Sequence, residues 1–265
     1  MATVIGIFDS GLGGLRVARA LGDALPGTDM IYLGDTGRFP YGGRRAARIA
    51  ACVDQGIRFL ADRGATLIVL ACVAGSAAWL RRSGGTSSVP VVDAVTSSVE
   101  RLGQFPRCRR IGIIGTEAAV RDGVFDELIK QRHPEARVYA RATPLLVPLI
   151  ENGWEGRPET RMIVKKYLHP LKTRRVDALV MGCSYYSAAR DLIQRKIGKR
   201  TLVVDSSAGV SAYAEKLLRS RVQEEGAGGA QATRTYYLTE ITGGTASAGK
   251  KMFGRNLSFQ DCTLA

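Results

Sequence analysis

Residues 66–77 read TLIVLACVAGSA and residues 177–188 read DALVMGCSYYSA. Aligned without gaps, both are an apolar run, a small residue and then a cysteine, Cys72 or Cys183. Both reach a Ser-Ala pair four residues later, Ser76 with Ala77 and Ser187 with Ala188. Upstream, IGIFDSG at 5–11 is echoed in the same way by IGIIGTE at 111–117. The similar spacing predicts two like halves, each carrying one cysteine at the carboxyl end of a buried strand. Open α/β sheets bind ligands beyond those strand ends, so Cys72 and Cys183 are expected to face one cleft.

The rest of the chain fits that frame. Short apolar runs at Val4–Phe8, Met30–Leu33, Thr66–Ala71, Ile111–Ile114, Ala178–Met181 and Leu202–Val204 alternate with amphipathic stretches such as Arg44–Asp62 and Ser207–Arg219. The alternation predicts α/β architecture with mainly parallel sheets. Thr235–Leu238 reads as a late strand, and the EGAGG at 225–229 before it as a flexible linker. The 265 residues suffice for one large domain or two modest ones.

Composition narrows the function classes. No apolar run is long enough for a bilayer. MATVIGIFDSG enters a strand directly, without the basic and apolar regions of a secretory signal, and a cytoplasmic protein with no membrane partner is expected. The five cysteines are odd in number and form no CxxC pair, and His133 and His169 sit in unrelated contexts. Neither a disulfide framework nor a metal site follows. The net charge of +14 is scattered over helical stretches, and the densest cluster, RCRR at 107–110, is too short to argue for a nucleic-acid partner.

Two opposed thiols suit one kind of chemistry. Inverting an amino acid's α-carbon takes a base on one face and an acid on the other, exchanging roles with direction. The carboxylate of Asp9 in FDSG is the candidate to take or relay a thiol proton. The glycines of FDSGLGG would let backbone N–H groups approach an anionic group where a helix begins, or they make a plain strand-to-helix turn. Taken alone, a cysteine after an apolar strand is an inert core residue; the matched positions of Cys72 and Cys183 reverse that reading. Asp35 is open to a turn or N-cap role and Tyr41 to packing. Cys52, Cys108 and Cys262 lack such context and read as structural.

The chain resembles the glutamate racemase family, which makes D-glutamate for peptidoglycan. The resemblance is carried by IGIFDSGLGGL at 5–15, YLGDTGRFPYG at 32–42, both cysteine segments, IGIIGTEAAVRDGVF at 111–125, PLLVPLIENG at 144–153, YLHPLK at 167–172 and VVDSS at 203–207. It implies two pseudo-symmetric α/β domains with the active site between them, here 1–95 with 208–265 and 96–207. It implies no cofactor and no metal, an amino acid or related carboxylic acid as the small-molecule partner, and a homodimer as an open expectation. Carried over by position, Cys72 and Cys183 match the two acid/base thiols, and Asp9 and Ser10 the pair beside the first. Pro40, Tyr41 and Gly42 match the substrate-contact loop, Thr116 a hydroxyl near the substrate, and Glu151 the acidic residue of its segment.

The sequence departs from the family beside both thiols. The family usually reads Cys-Asn-Thr at the first cysteine, where this chain has Val73 and Ala74. It reads Cys-Thr-His at the second, where this chain has Ser184 and Tyr185. Ser184 keeps a hydroxyl. Val73 and Ala74 lose an amide and a hydroxyl, and Tyr185 cannot relay protons at neutral pH as histidine does. The reading is therefore an isomerase of amino acids or related acids, with a substrate altered from glutamate. A non-catalytic descendant using the cleft for binding or regulation, and an isomerase acting on a different acid, stay open.

Overall fold

The echoing segments fold as equivalent strands. The computed structural model describes residues 3–224 and 232–264. In chain order its first elements are β1 (Val4–Asp9), α1 (Leu15–Ala24), β2 (Asp29–Gly34), α2 (Ala46–Asp62), β3 (Leu67–Leu70), α3 (Val73–Ser83), β4 (Val91–Asp93) and α4 (Ala94–Gly103). Next come β5 (Arg110–Gly115), α5 (Glu117–Asp122), α6 (Val124–Arg132), β6 (Arg137–Ala142), α7 (Leu146–Glu151), α8 (Pro158–Thr173), β7 (Ala178–Gly182), α9 (Arg190–Ile197) and β8 (Leu202–Asp205). The chain closes with α10 (Ser206–Glu224), β9 (Arg234–Leu238), α11 (Thr245–Phe253) and β10 (Gln260–Asp261).

Two parallel sheets result, ordered β10-β9-β2-β1-β3-β4 and β6-β5-β7-β8. The inner order repeats, with β2-β1-β3-β4 answered by β6-β5-β7-β8. The register repeats too. Ile5 pairs with Leu67 and Phe8 with Leu70 in the first sheet, as Ile111 pairs with Ala178 and Ile114 with Met181 in the second. Those are the partners that the ungapped alignment of the sequence matches. The α/β expectation is borne out, with β9 and β10 added beyond β2.

Burial explains why these runs become strands. Leu67–Leu70 and Ala178–Gly182 are buried throughout, as strands covered by helices on both faces must be. On one face of the first sheet, α2 comes so close that a Cβ at Gly56 would lie 2.4 Å from the Phe8 ring. The strands that sequence reading missed lack such a run. Edge strand β6 (RVYARA) has no fully buried residue, and β4 and β10 are only three and two residues long.

The two halves touch at several points. Arg81 on α3 reaches Glu127 on α6 at 2.8 Å, a surface pair worth little by itself. Among the described residues, no helix is long and apolar enough to cross a membrane. The predicted linker at 225–229 lies outside the described residues.

Candidate active site

Both cysteines leave their strands at the same end and open onto one cavity of about 370 Å³ between the sheets. Its lining includes Ser10, Pro40, Tyr41, Gly42, Cys72, Val73, Ala74, Thr116, Glu151, Cys183, Ser184 and Tyr185. Every residue marked from the sequence borders it except Asp9, which lies beneath it with no exposure. Phe39, Pro144, Val147 and Pro148 also line it. Sequence reading missed them, although PLLVPLIENG contains three; an apolar residue in a motif gives no chemical signal that it faces a ligand.

Cys72 caps the N-terminus of α3. Its sulfur accepts from Gly75 N–H at 3.4 Å, and its thiol donates to Ser10 Oγ at 3.3 Å. Burial, with a smaller contribution from negative Asp9, pushes the thiol up to about 12. Cys183 sits in extended backbone at the head of a short helical turn, Ser184–Ala189. Burial again raises its thiol well above the ordinary range, and Cys72 and Asp9 add to the rise. Both are therefore held protonated in this cleft, as acids awaiting a change in surroundings.

Asp9 ends β1 and accepts from Gly14 N–H at 2.7 Å and, more loosely, from Ser184 Oγ at 3.4 Å. Burial raises its carboxyl from 3.8 to about 6, with those hydrogen bonds opposing. The folded chain therefore holds an extra proton between those values, and Asp9 destabilises it progressively as pH rises from about 4 to about 6. A rise of that size corresponds to about 3 kcal/mol. Asp9→Asn is accordingly expected to melt higher than the native chain at pH 7 and to flatten the dependence of melting temperature between pH 4 and 6. Circular dichroism melts across that range check it, and identical slopes for the two proteins would contradict it.

The glycine-rich turn after Asp9 is packed against the other half. A Cβ on Gly13 would lie 2.5 Å from Ser184 Oγ, and one on Gly14 2.7 Å from Asp9 Cβ. Leu12 N–H is taken by the Tyr185 hydroxyl at 3.1 Å and Gly14 N–H by Asp9. Those two groups are thus unavailable to an anionic ligand, and close approach of the halves is what the glycines permit. The loop at 39–43 is anchored from below. Tyr41 is buried and donates to Asp35, which also accepts from Arg38 Nε at 2.7 Å and Thr239 Oγ1 at 2.9 Å. Asp35 thus anchors the loop rather than capping a helix with its side chain. Gly42 touches the second half, where a Cβ would sit 3.1 Å from Thr116 Cβ and where its carbonyl accepts from Ala118 N–H at 2.7 Å.

Val73 and Ala74 open α3 and are buried at the cavity wall. They present apolar side chains there, while first-turn N–H groups have no partner within a helix. Thr116 caps α5 through Ala119 N–H at 3.4 Å. Glu151, at the end of α7, has its carboxyl raised by burial, which hydrogen bonding with Tyr185 opposes. Of the remaining cysteines, Cys52 is buried within α2, and Cys108 and Cys262 are half-buried; none borders the cavity.

Residues 16–213 match the family model described as Asp/Glu/Hydantoin racemase. The chain is 35% identical over 257 residues to a glutamate racemase of Geobacter metallireducens, covering 96% of this chain and 93% of that one. Among solved structures, it matches a glutamate racemase of Francisella tularensis in complex with D-glutamate at a TM-score of 0.89 and 27% identity, over 99% and 98% of the two chains. It also matches a glutamate racemase of Thermus thermophilus in complex with beta-chloro-D-alanine at a TM-score of 0.86 and 28% identity, over 99% and 97%.

Proposed function

The chain belongs to the Asp/Glu/hydantoin racemase family and is an isomerase, and we propose that it inverts the α-carbon of an amino acid using Cys72 and Cys183, with a substrate side chain less polar than that of glutamate. The observation that carries this reading is the pair of buried thiols bordering one cavity from equivalent strand ends. A small amino acid held between them meets a sulfur from each half.

The chemistry follows from the surroundings. Entry of a substrate ammonium group brings positive charge beside the thiols and favours a thiolate. On the Cys72 side, Ser10 accepts the thiol proton's hydrogen bond, and buried Asp9 is the nearby carboxylate able to store a proton near neutral pH. The thiolate takes the α-proton, the substrate's carboxylate takes up the developing charge, and the opposite thiol returns a proton to the other face. Val73 N–H and Ala74 N–H at the head of α3 suit that carboxylate.

The altered specificity rests on Val73, Ala74, Val147, Pro148 and Phe39 in the wall. A second carboxylate placed against apolar side chains lacks partners. Incubation in D2O with a panel of enantiopure amino acids tests this. Deuterium entry at the α-carbon and inversion are expected faster for a monocarboxylic amino acid with an apolar side chain than for glutamate. Exchange with glutamate alone would overturn the proposed specificity, and no exchange with any amino acid would overturn the activity.

A further inference from the structure

Tyr185 borders the cavity yet is only 2% exposed. Its hydroxyl accepts from Leu12 N–H at 3.1 Å, across from one half to the other. The ring lies against Phe39, the centroids 5.7 Å apart at 36°. The glycine turn is shaped around it: a Cβ on Gly11 would come 2.9 Å from the hydroxyl and one on Gly13 2.7 Å from a ring carbon.

We propose that Tyr185 is a positioning residue for the racemisation, a strut that ties the glycine turn and the Phe39 loop of one half to the Cys183 segment of the other and keeps the cleft closed over both thiols. It acts through the elements it joins. Its hydroxyl holds Leu12 N–H across the cleft rather than relaying a proton for Cys183. The shorter imidazole of histidine would not reach Leu12 N–H with the same ring contact. The kinetic consequence rests on the racemase reading; closure of the cleft does not.

The test is iodoacetamide labelling of the full chain, read cysteine by cysteine by peptide mass spectrometry, for the native protein, Tyr185→Phe and Tyr185→Ala. Loss of the strut is expected to raise labelling of Cys72 and Cys183 about tenfold or more in the alanine variant, through local opening. The phenylalanine variant, which keeps the ring, is expected to show a smaller rise. Buried Cys52 in α2 reports general loosening and should stay slow; if the alanine variant labels there too, the phenylalanine variant decides alone. Unchanged labelling at Cys72 and Cys183 in Tyr185→Phe would overturn the proposal. With L-glutamate as the probe substrate, Tyr185→Phe is expected to raise KM more than it lowers kcat. A large fall in kcat at constant KM, restored by Tyr185→His, would mark a proton relay and overturn the strut.

Discussion

Cys72→Ala and Cys183→Ala are each expected to lose inversion by about 10²–10⁴-fold or more, the range supplied by a positioned acid or base. The cavity borders a sulfur from each half, and removing either leaves one face of the α-carbon without a proton carrier. Binding is expected to survive, since the hydrogen bonds at the Cys72 sulfur are long, 3.3 Å to Ser10 and 3.4 Å from Gly75 N–H. A β-chloro amino acid separates the roles further. Eliminating chloride needs one base only, so each variant should still eliminate from the enantiomer that faces its remaining cysteine. Chiral chromatography for inversion and chloride release for elimination check both statements. Inversion at the native rate by either variant would remove that cysteine from the mechanism.

The paired change Val73→Asn with Ala74→Thr is expected to raise glutamate turnover by about a hundredfold or more, because a hydrogen bond to a charged group contributes roughly 1.5–3 kcal/mol and two are restored together. Both residues open α3, are almost fully buried and border the cavity. The two should act more than additively, since they share one ligand. Adding Tyr185→His restores the third lost group, and the sequence alone argues for all three together. The structure separates the third: Tyr185 holds Leu12 and Phe39 in place, and the glycine turn is fitted to its ring. Steady-state kinetics on glutamate decide the matter. Native turnover at ordinary enzyme rates with a submillimolar KM would show that other groups have taken over these contacts.

Much of this was legible because strand repeats and motifs are local. The match of TLIVLACVAGSA with DALVMGCSYYSA needs only buried runs of like length, and the equivalent strand pairs share one register in the two sheets. Edge strand β6 escaped because its residues are polar and half-exposed. The site's polar members were readable as chemical types at motif positions. The functions of Asp35 and Tyr185 were not, since each depends on partners far away in sequence, Thr239 for one and Leu12 for the other. The glycines of FDSGLGG fit either backbone approach to a ligand or a plain strand-to-helix turn in the sequence. They make room for Ser184 and Tyr185, side chains more than 170 residues along the chain.

The central claim is that two different thiols handle the α-proton, one on each face. Proton NMR of the first turnovers in D2O, started from each pure enantiomer of the substrate found in the panel, tests it most directly. Two thiols predict that the product carries deuterium at the α-carbon from the outset while the unreacted substrate keeps its protium, in both directions. Product that retains the substrate's own α-proton would mean that one group carries it from face to face, and would contradict the account.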